Sequence, residues 1–235
     1  RETNAYPGTE LHRTMAIIKP DSFAKPLVLD IVKVASKAKN QYDLPFYFMG
    51  QVLETNFDYE APSSLLPMGD SDGYQHLYLE GKGKPSSDST QFNWLVEGKF
   101  YTLTAATKAT DELLFARVGA TDPEFNLRRD AALMFRRKDV SDTLFVSVIE
   151  PHGFYSPVSE LSVNPNSNIS SVKVVQDSNA YTAVTIANVE NQSSIFIIAN
   201  RDASGSQRHQ LTIGGKQYSW QGPYYLGEES MRGLR

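Results

Sequence analysis

Short runs of Val, Ile, Thr, Phe and Tyr, cut at intervals of roughly ten residues by clusters of Gly, Pro, Asn, Asp or Ser, limit what this chain can fold into. This is strand-and-turn grammar, and no segment carries the longer period of an ordinary helix. The reading places strands at His12 to Ile18, Leu27 to Val34, Tyr42 to Glu54, His76 to Gly81, Phe92 to Glu97, Phe100 to Ala106 and Asp111 to Val118. Further strands are expected at Ala131 to Lys138, Thr143 to Glu150, Ser170 to Asp177, Tyr181 to Val189, Gln192 to Asn200 and Arg208 to Ile213, with short final strands from Lys216 to Tyr225. Tyr181 to Ala187 alternates polar and apolar, as a strand with one open face does. Phe145 to Ile149 and Ile195 to Ile198 are continuously apolar, as strands covered on both faces are. The fold expected is all-β, a multi-layer sandwich of stacked antiparallel β-sheets.

The chain is treated as one unit, 1 to 235, with a sub-boundary expected between Pro151 and Asn168. Two segments, Asn56 to Tyr74 and Pro157 to Asn168, read as long loops. Ile213-Gly214-Gly215-Lys216 reads as a two-residue hairpin turn.

A length of 235 residues can bury a substantial core without disulfides, and there is no cysteine to form one. A formal charge of -4 leaves no basic footprint for nucleic acid. The longest apolar runs fall far below the roughly 20 residues of a membrane span. Residue 1 is Arg, without a charged-then-apolar signal, so the sequence reads as a mature product or an internal fragment.

The candidate chemistry is spread over several strands. His12, Asp30 and His76 offer two imidazoles and a carboxylate, a donor set suited to Zn²⁺ with water as fourth ligand. The alternative is that Asp30 caps a turn while each histidine is a half-buried strand residue. His152, in Glu150-Pro151-His152-Gly153, reads as a turn histidine, and His209 as solvent-facing. Tyr42 and Tyr47 carry phenols that serve as acid or base when a neighbouring cation lowers their pKa, or that simply pack with a wet hydroxyl. Arg13, Arg117, Arg128, Arg129, Arg136 and Arg137 can clamp carboxylates with bidentate forks, or lie solvated on the surface. Phosphate-cradling glycine loops, G-x-S-x-G elbows, H-E-x-x-H helices and dinucleotide fingerprints are missing from the sequence.

Taken in order, Leu11-His12-Arg13-Thr14-Met15-Ala16, Val28-Leu29-Asp30, Gln41-Tyr42-Asp43-Leu44-Pro45-Phe46-Tyr47 with Gly50-Gln51, Gly73-Tyr74-Gln75-His76-Leu77, and Thr143-Leu144-Phe145 with Val148-Ile149-Glu150-Pro151-His152-Gly153 resemble the C-terminal β-sheet region of the heparinase II/III-like polysaccharide lyases. The likeness is closest to the family 17 oligoalginate lyases. It implies a partner (α/α)-toroid outside this chain that supplies an Asn, a His and a Tyr acid. It also implies an acidic polysaccharide such as alginate as substrate, exolytic β-elimination, and a periplasmic or secreted location, with homodimerisation open. Within this chain it implies Tyr47 as the catalytic residue and His12, Asp30 and His76 around a structural zinc, while Arg13 and Tyr42 are expected as substrate contacts from their own chemistry. Asn40 departs from the pattern, since members of the family often carry His there. The runner-up from another class is a non-catalytic carbohydrate-binding β-sandwich, and a third is an adhesion module.

Overall fold

The computed structural model describes residues 1–119 and 130–229. Its strands form four antiparallel layers. The central sheet runs in the order β1 (Thr9–Ile18), β2 (Leu27–Ser36), β11 (Thr143–Ser156), β8 (Lys99–Ala106), β7 (Ser89–Val96) and β4 (Gln51–Thr55), with β12 (Leu161–Val163) added against β11. A second sheet runs β3 (Asn40–Phe48), β10 (Asp130–Val140), β9 (Glu112–Val118), β6 (Leu77–Gly83) and β5 (Tyr59–Glu60). A third is built from β13 (Ile169–Asp177), β14 (Tyr181–Asn188), β15 (Ser193–Ala199) and β18 (Tyr224–Glu229), and a hairpin of β16 (Arg208–Ile213) and β17 (Lys216–Gln221) forms the fourth layer. The regular helix-like structure among the described residues is a single 3-10 turn, Tyr74–His76.

Alternation along β2 and β11 explains the layering. Leu27, Leu29, Ile31, Leu144, Val146 and Val148 point one way, into a core shared with Ile169, Val172, Val184, Ile186 and Phe196 of the third sheet. Val32, Val34 and Phe145 point the other way, joining Phe92, Trp94 and Leu103 against Leu113, Phe115, Leu133 and Phe135 of the second sheet. A strand that must fill two cores reads as a continuous apolar run, as expected for Phe145 to Ile149. On the far side of the third sheet, Ala183, Ile195 and Ile197 are covered by Tyr218 and Trp220 of the hairpin.

Several local readings are corrected. Tyr42 to Glu54 is not one strand, because Gly50 takes a φ of 95° and the chain leaves the second sheet for the central one. Any Cβ there would also run into the Leu95 carbonyl, so glycine is needed twice over. His152 is not in a turn: β11 continues through Pro151 and Gly153 with an irregularity between them, and a side chain at residue 153 would strike the carbonyls of Val163 and Asn164. The His152 ring is buried and stacked on Phe100 at 6.1 Å. Its Nδ1 faces the Asn164 carbonyl at 2.8 Å and therefore donates, leaving Nε2 to accept from the Thr102 hydroxyl at 3.0 Å. His209 is not solvent-facing either, being 5 % exposed and stacked on Trp220 at 5.0 Å. The two long loops also carry structure, in β5 and β12.

Glu150, 3 % exposed, fastens the chain where it passes to the third sheet. Its carboxylate accepts from the Ser167 hydroxyl at 2.6 Å, Asn168 N at 2.8 Å and Asn168 Nδ2 at 2.8 Å. Hydrogen bonds to a buried charge contribute about 1.5–3 kcal/mol, so Glu150→Ala should lower stability by about 2–3 kcal/mol in urea titration. A change under ~0.5 kcal/mol would show that residues 164–168 hold their course without it.

Candidate active site

The resemblance points to β3, an edge strand of the second sheet, where side chains alternate between the core and the outside. Tyr42, Leu44, Phe46 and Phe48 turn inward. Asp43, Pro45 and Tyr47 therefore face outward, opposite Arg136, Met134 and Ala132 of β10. Tyr47 is 53 % exposed, and its hydroxyl has no hydrogen-bond partner among the described residues. An accessible, unpartnered phenol on a rigid strand is free to meet a ligand.

Tyr42, five positions earlier, cannot share that surface. Its hydroxyl donates to the Ser141 carbonyl at 3.1 Å and accepts from Asn40 Nδ2 at 3.2 Å. It anchors β3 to the turn after β10 from the inward side of the strand.

The outward face beside Tyr47 holds a network that the sequence alone does not assemble. Arg136 grips Asp43 with two parallel bonds, Nε to Oδ1 at 2.8 Å and Nη2 to Oδ2 at 2.7 Å. The Tyr74 hydroxyl donates to the same Oδ2, and the Arg136 guanidinium lies over the Tyr74 ring at 5.8 Å. Burial, followed by the hydrogen bond to Asp43, pushes the Tyr74 phenol up, which keeps it a donor and unsuits it to act as a base. The available signals were Arg136 itself and the motif residue Asp43; that they are neighbours follows from the register of β3 with β10.

Arg13 and Asp30 do come together. Arg13 Nε and Nη2 meet Asp30 Oδ1 and Oδ2 at 2.9 and 2.8 Å, and the hydrogen bond to Asp30 raises the guanidinium pKa further. Arg13 remains 56 % exposed, so the pair lies within reach of a ligand carboxylate.

The proposed zinc ligands do not converge. The β1–β2 register pairs Met15 with Asp30 and His12 with Lys33, which turns the Asp30 and His12 side chains to opposite faces of the central sheet. Both Asp30 oxygens already bind Arg13. His76 belongs to the 3-10 turn leading into the second sheet. Among the described residues no three His, Cys, Asp or Glu side chains form a metal-binding group. The residues therefore do not fit the implied ion. His12 instead lines a small cleft with Lys33, Arg1 and Arg201. Burial first, then the positive charges of Arg1 and Lys33, lowers its pKa and favours the neutral ring.

Of the other arginines, Arg117 pairs with Glu80 and Arg137 is buried against Asp111, while Arg128 and Arg129 lie outside the described residues.

No protein-family profile matches the chain. Over 222 residues it is 35 % identical to an alginate lyase of Stenotrophomonas maltophilia, covering 94 % of this chain and 30 % of that protein. Over 226 residues it is 30 % identical to an exo-oligoalginate lyase of Saccharophagus degradans, again covering 94 % of this chain and 30 % of the other. No helix among the described residues is long and apolar enough to cross a membrane. The chain thus spans about 30 % of the length of the curated relatives it matches, and it is similar along nearly its whole extent to one part of two alginate-degrading lyases.

Proposed function

We propose that this chain is the β-sheet part of a polysaccharide lyase that cleaves alginate by β-elimination, releasing unsaturated uronates from chain ends. The observation that carries the reading is similarity across 94 % of the chain to proteins named alginate lyase and exo-oligoalginate lyase. The exposed phenol of Tyr47 and the exposed guanidinium of Arg13 are the groups that suit the chemistry. β-Elimination removes the C5 proton α to a uronate carboxylate, and the negative charge that develops must meet prearranged donors or cations. Arg13, oriented by Asp30, offers a guanidinium that matches a carboxylate in shape as well as charge.

Tyr47 would exchange a proton with the sugar at C5 or at the glycosidic oxygen. The remaining acid–base groups come, in this reading, from the portion of the enzyme beyond these residues, an (α/α)-toroid, and the whole works in the periplasm or after secretion.

The test is the ultraviolet absorbance of the unsaturated product when the full-length enzyme is given alginate, heparin or hyaluronan. Absorbance should rise with alginate alone, and monomeric product should appear from the first minutes. Binding of alginate without any rise would leave a carbohydrate-binding module and remove the lyase.

A further inference from the structure

On the side of the central sheet turned away from the second sheet, a polar hollow of about 210 Å³ opens between β4, β7, β8 and the segment after β12. We propose that it binds a single neutral sugar ring through its hydroxyl groups, at a site separate from the surface that carries Tyr47.

The wall owes its character to strand alternation. Phe92, Trp94 and Leu103 fill the core shared with the second sheet, so Gln91, Asn93 and Thr102 must project from the opposite face. Gln91 Nε2 donates to the Ile169 carbonyl at 2.6 Å, and Asn93 Nδ2 donates to the Pro165 carbonyl at 3.0 Å. These bonds tie β7 to the segment that closes the hollow. The hollow is therefore built into the fold.

Asn93 brings an unspent acceptor to this wall. It is 9 % exposed, and its Oδ1 is buried and accepts no hydrogen bond. Turning the amide over would not relieve this, because the Pro165 carbonyl can only accept and so requires Nδ2 where it is. At the rim the exposed Glu54 carboxylate adds further acceptors and has no ion pair among the described residues. Surplus acceptors call for a ligand rich in donors, which sugar hydroxyls are.

Charge narrows the class. The lining contains one carboxylate and no Lys, Arg or His, so a uronate would meet repulsion without compensation. One carboxylate is also a poor cage for Ca²⁺, which takes roughly six to eight oxygen ligands. The volume is below the roughly 300–1,000 Å³ of pockets for drug-sized ligands, which suits one ring rather than a chain.

The experiment is a titration of the ¹⁵N-labelled chain with D-mannose, with D-mannuronate as the acidic control. It is read from the side-chain amide resonances of Asn93 and Gln91. Mannose should shift both and saturate in the millimolar range, while mannuronate should leave them in place. Asn93→Ala should weaken mannose binding at least about tenfold. Glu54→Gln, a surface change that leaves the core untouched, should keep mannose binding within a few-fold and admit mannuronate. Unmoved resonances with mannose, equal responses to both sugars, or shifts confined to Tyr47 and Arg13 would each overturn the site. Alginate cleavage enters none of these readings, so loss of lyase activity and loss of this site are distinguishable.

Discussion

Replacing Arg137 with Leu should cost about 3–5 kcal/mol of stability, the largest loss expected from any single charged residue described above. Arg137 is 4 % and Asp111 1 % exposed, and they meet through two bonds of 2.9 and 3.0 Å. The same guanidinium donates to the Thr143 hydroxyl at 2.9 Å and the Leu144 carbonyl at 2.6 Å, and it lies 4.4 Å from the centre of the Phe145 ring. Removing it leaves the Asp111 carboxylate buried and also orphans the Thr143 hydroxyl and the Leu144 and Ala106 carbonyls, and that uncompensated buried charge accounts for most of the loss. A favourable ion-pair energy is not the main issue. For that reason the double substitution Arg137→Leu with Asp111→Leu should recover a good part of the loss. Urea titration of both variants decides it. A single-variant loss below ~1 kcal/mol would mean that water reaches Asp111, contrary to its burial.

Tyr47→Phe should lower kcat on alginate in the full-length enzyme by about 10²–10⁴-fold, the usual contribution of a positioned acid or base. KM should change little and stability by no more than about 0.5 kcal/mol, because the hydroxyl is exposed and unpartnered among the described residues. That combination separates a catalytic phenol from a packing one. Retained turnover would remove Tyr47 from the mechanism, whereas a fall in stability would point to a structural role. Tyr42→Phe should behave in the second way, since its hydroxyl holds the Ser141 carbonyl.

The layered all-β architecture was legible because each strand carries its own period, and continuous apolar runs mark the strands with two cores to fill. Local turn chemistry was also legible at Gly214-Gly215, whose φ values of 55° and 83° suit a tight hairpin. What could not be read was pairing register. His12 and Asp30 sit on adjacent strands, yet whether they share a face depends on which residues lie opposite, and here Met15 and Lys33 take those places. The same limit hid the Asp43–Arg136–Tyr74 network. His209 misled for a different reason. Its sequence neighbours are polar, and its burial comes from Trp220 and Tyr181 across the hairpin and the third sheet. In Glu150-Pro151-His152-Gly153 the proline and glycine looked like a turn, but they accommodate an irregularity in a long strand and the close passage of β12.

Because neighbouring side chains of β2 and β11 are committed alternately to different cores, displacing either strand would unseat both outer sheets together. The second and third sheets touch different surfaces, yet neither can melt away without stripping apolar cover from the same two ribbons. Cooperativity in this molecule therefore resides in its middle, and the outer layers share its fate whatever their separate positions along the chain.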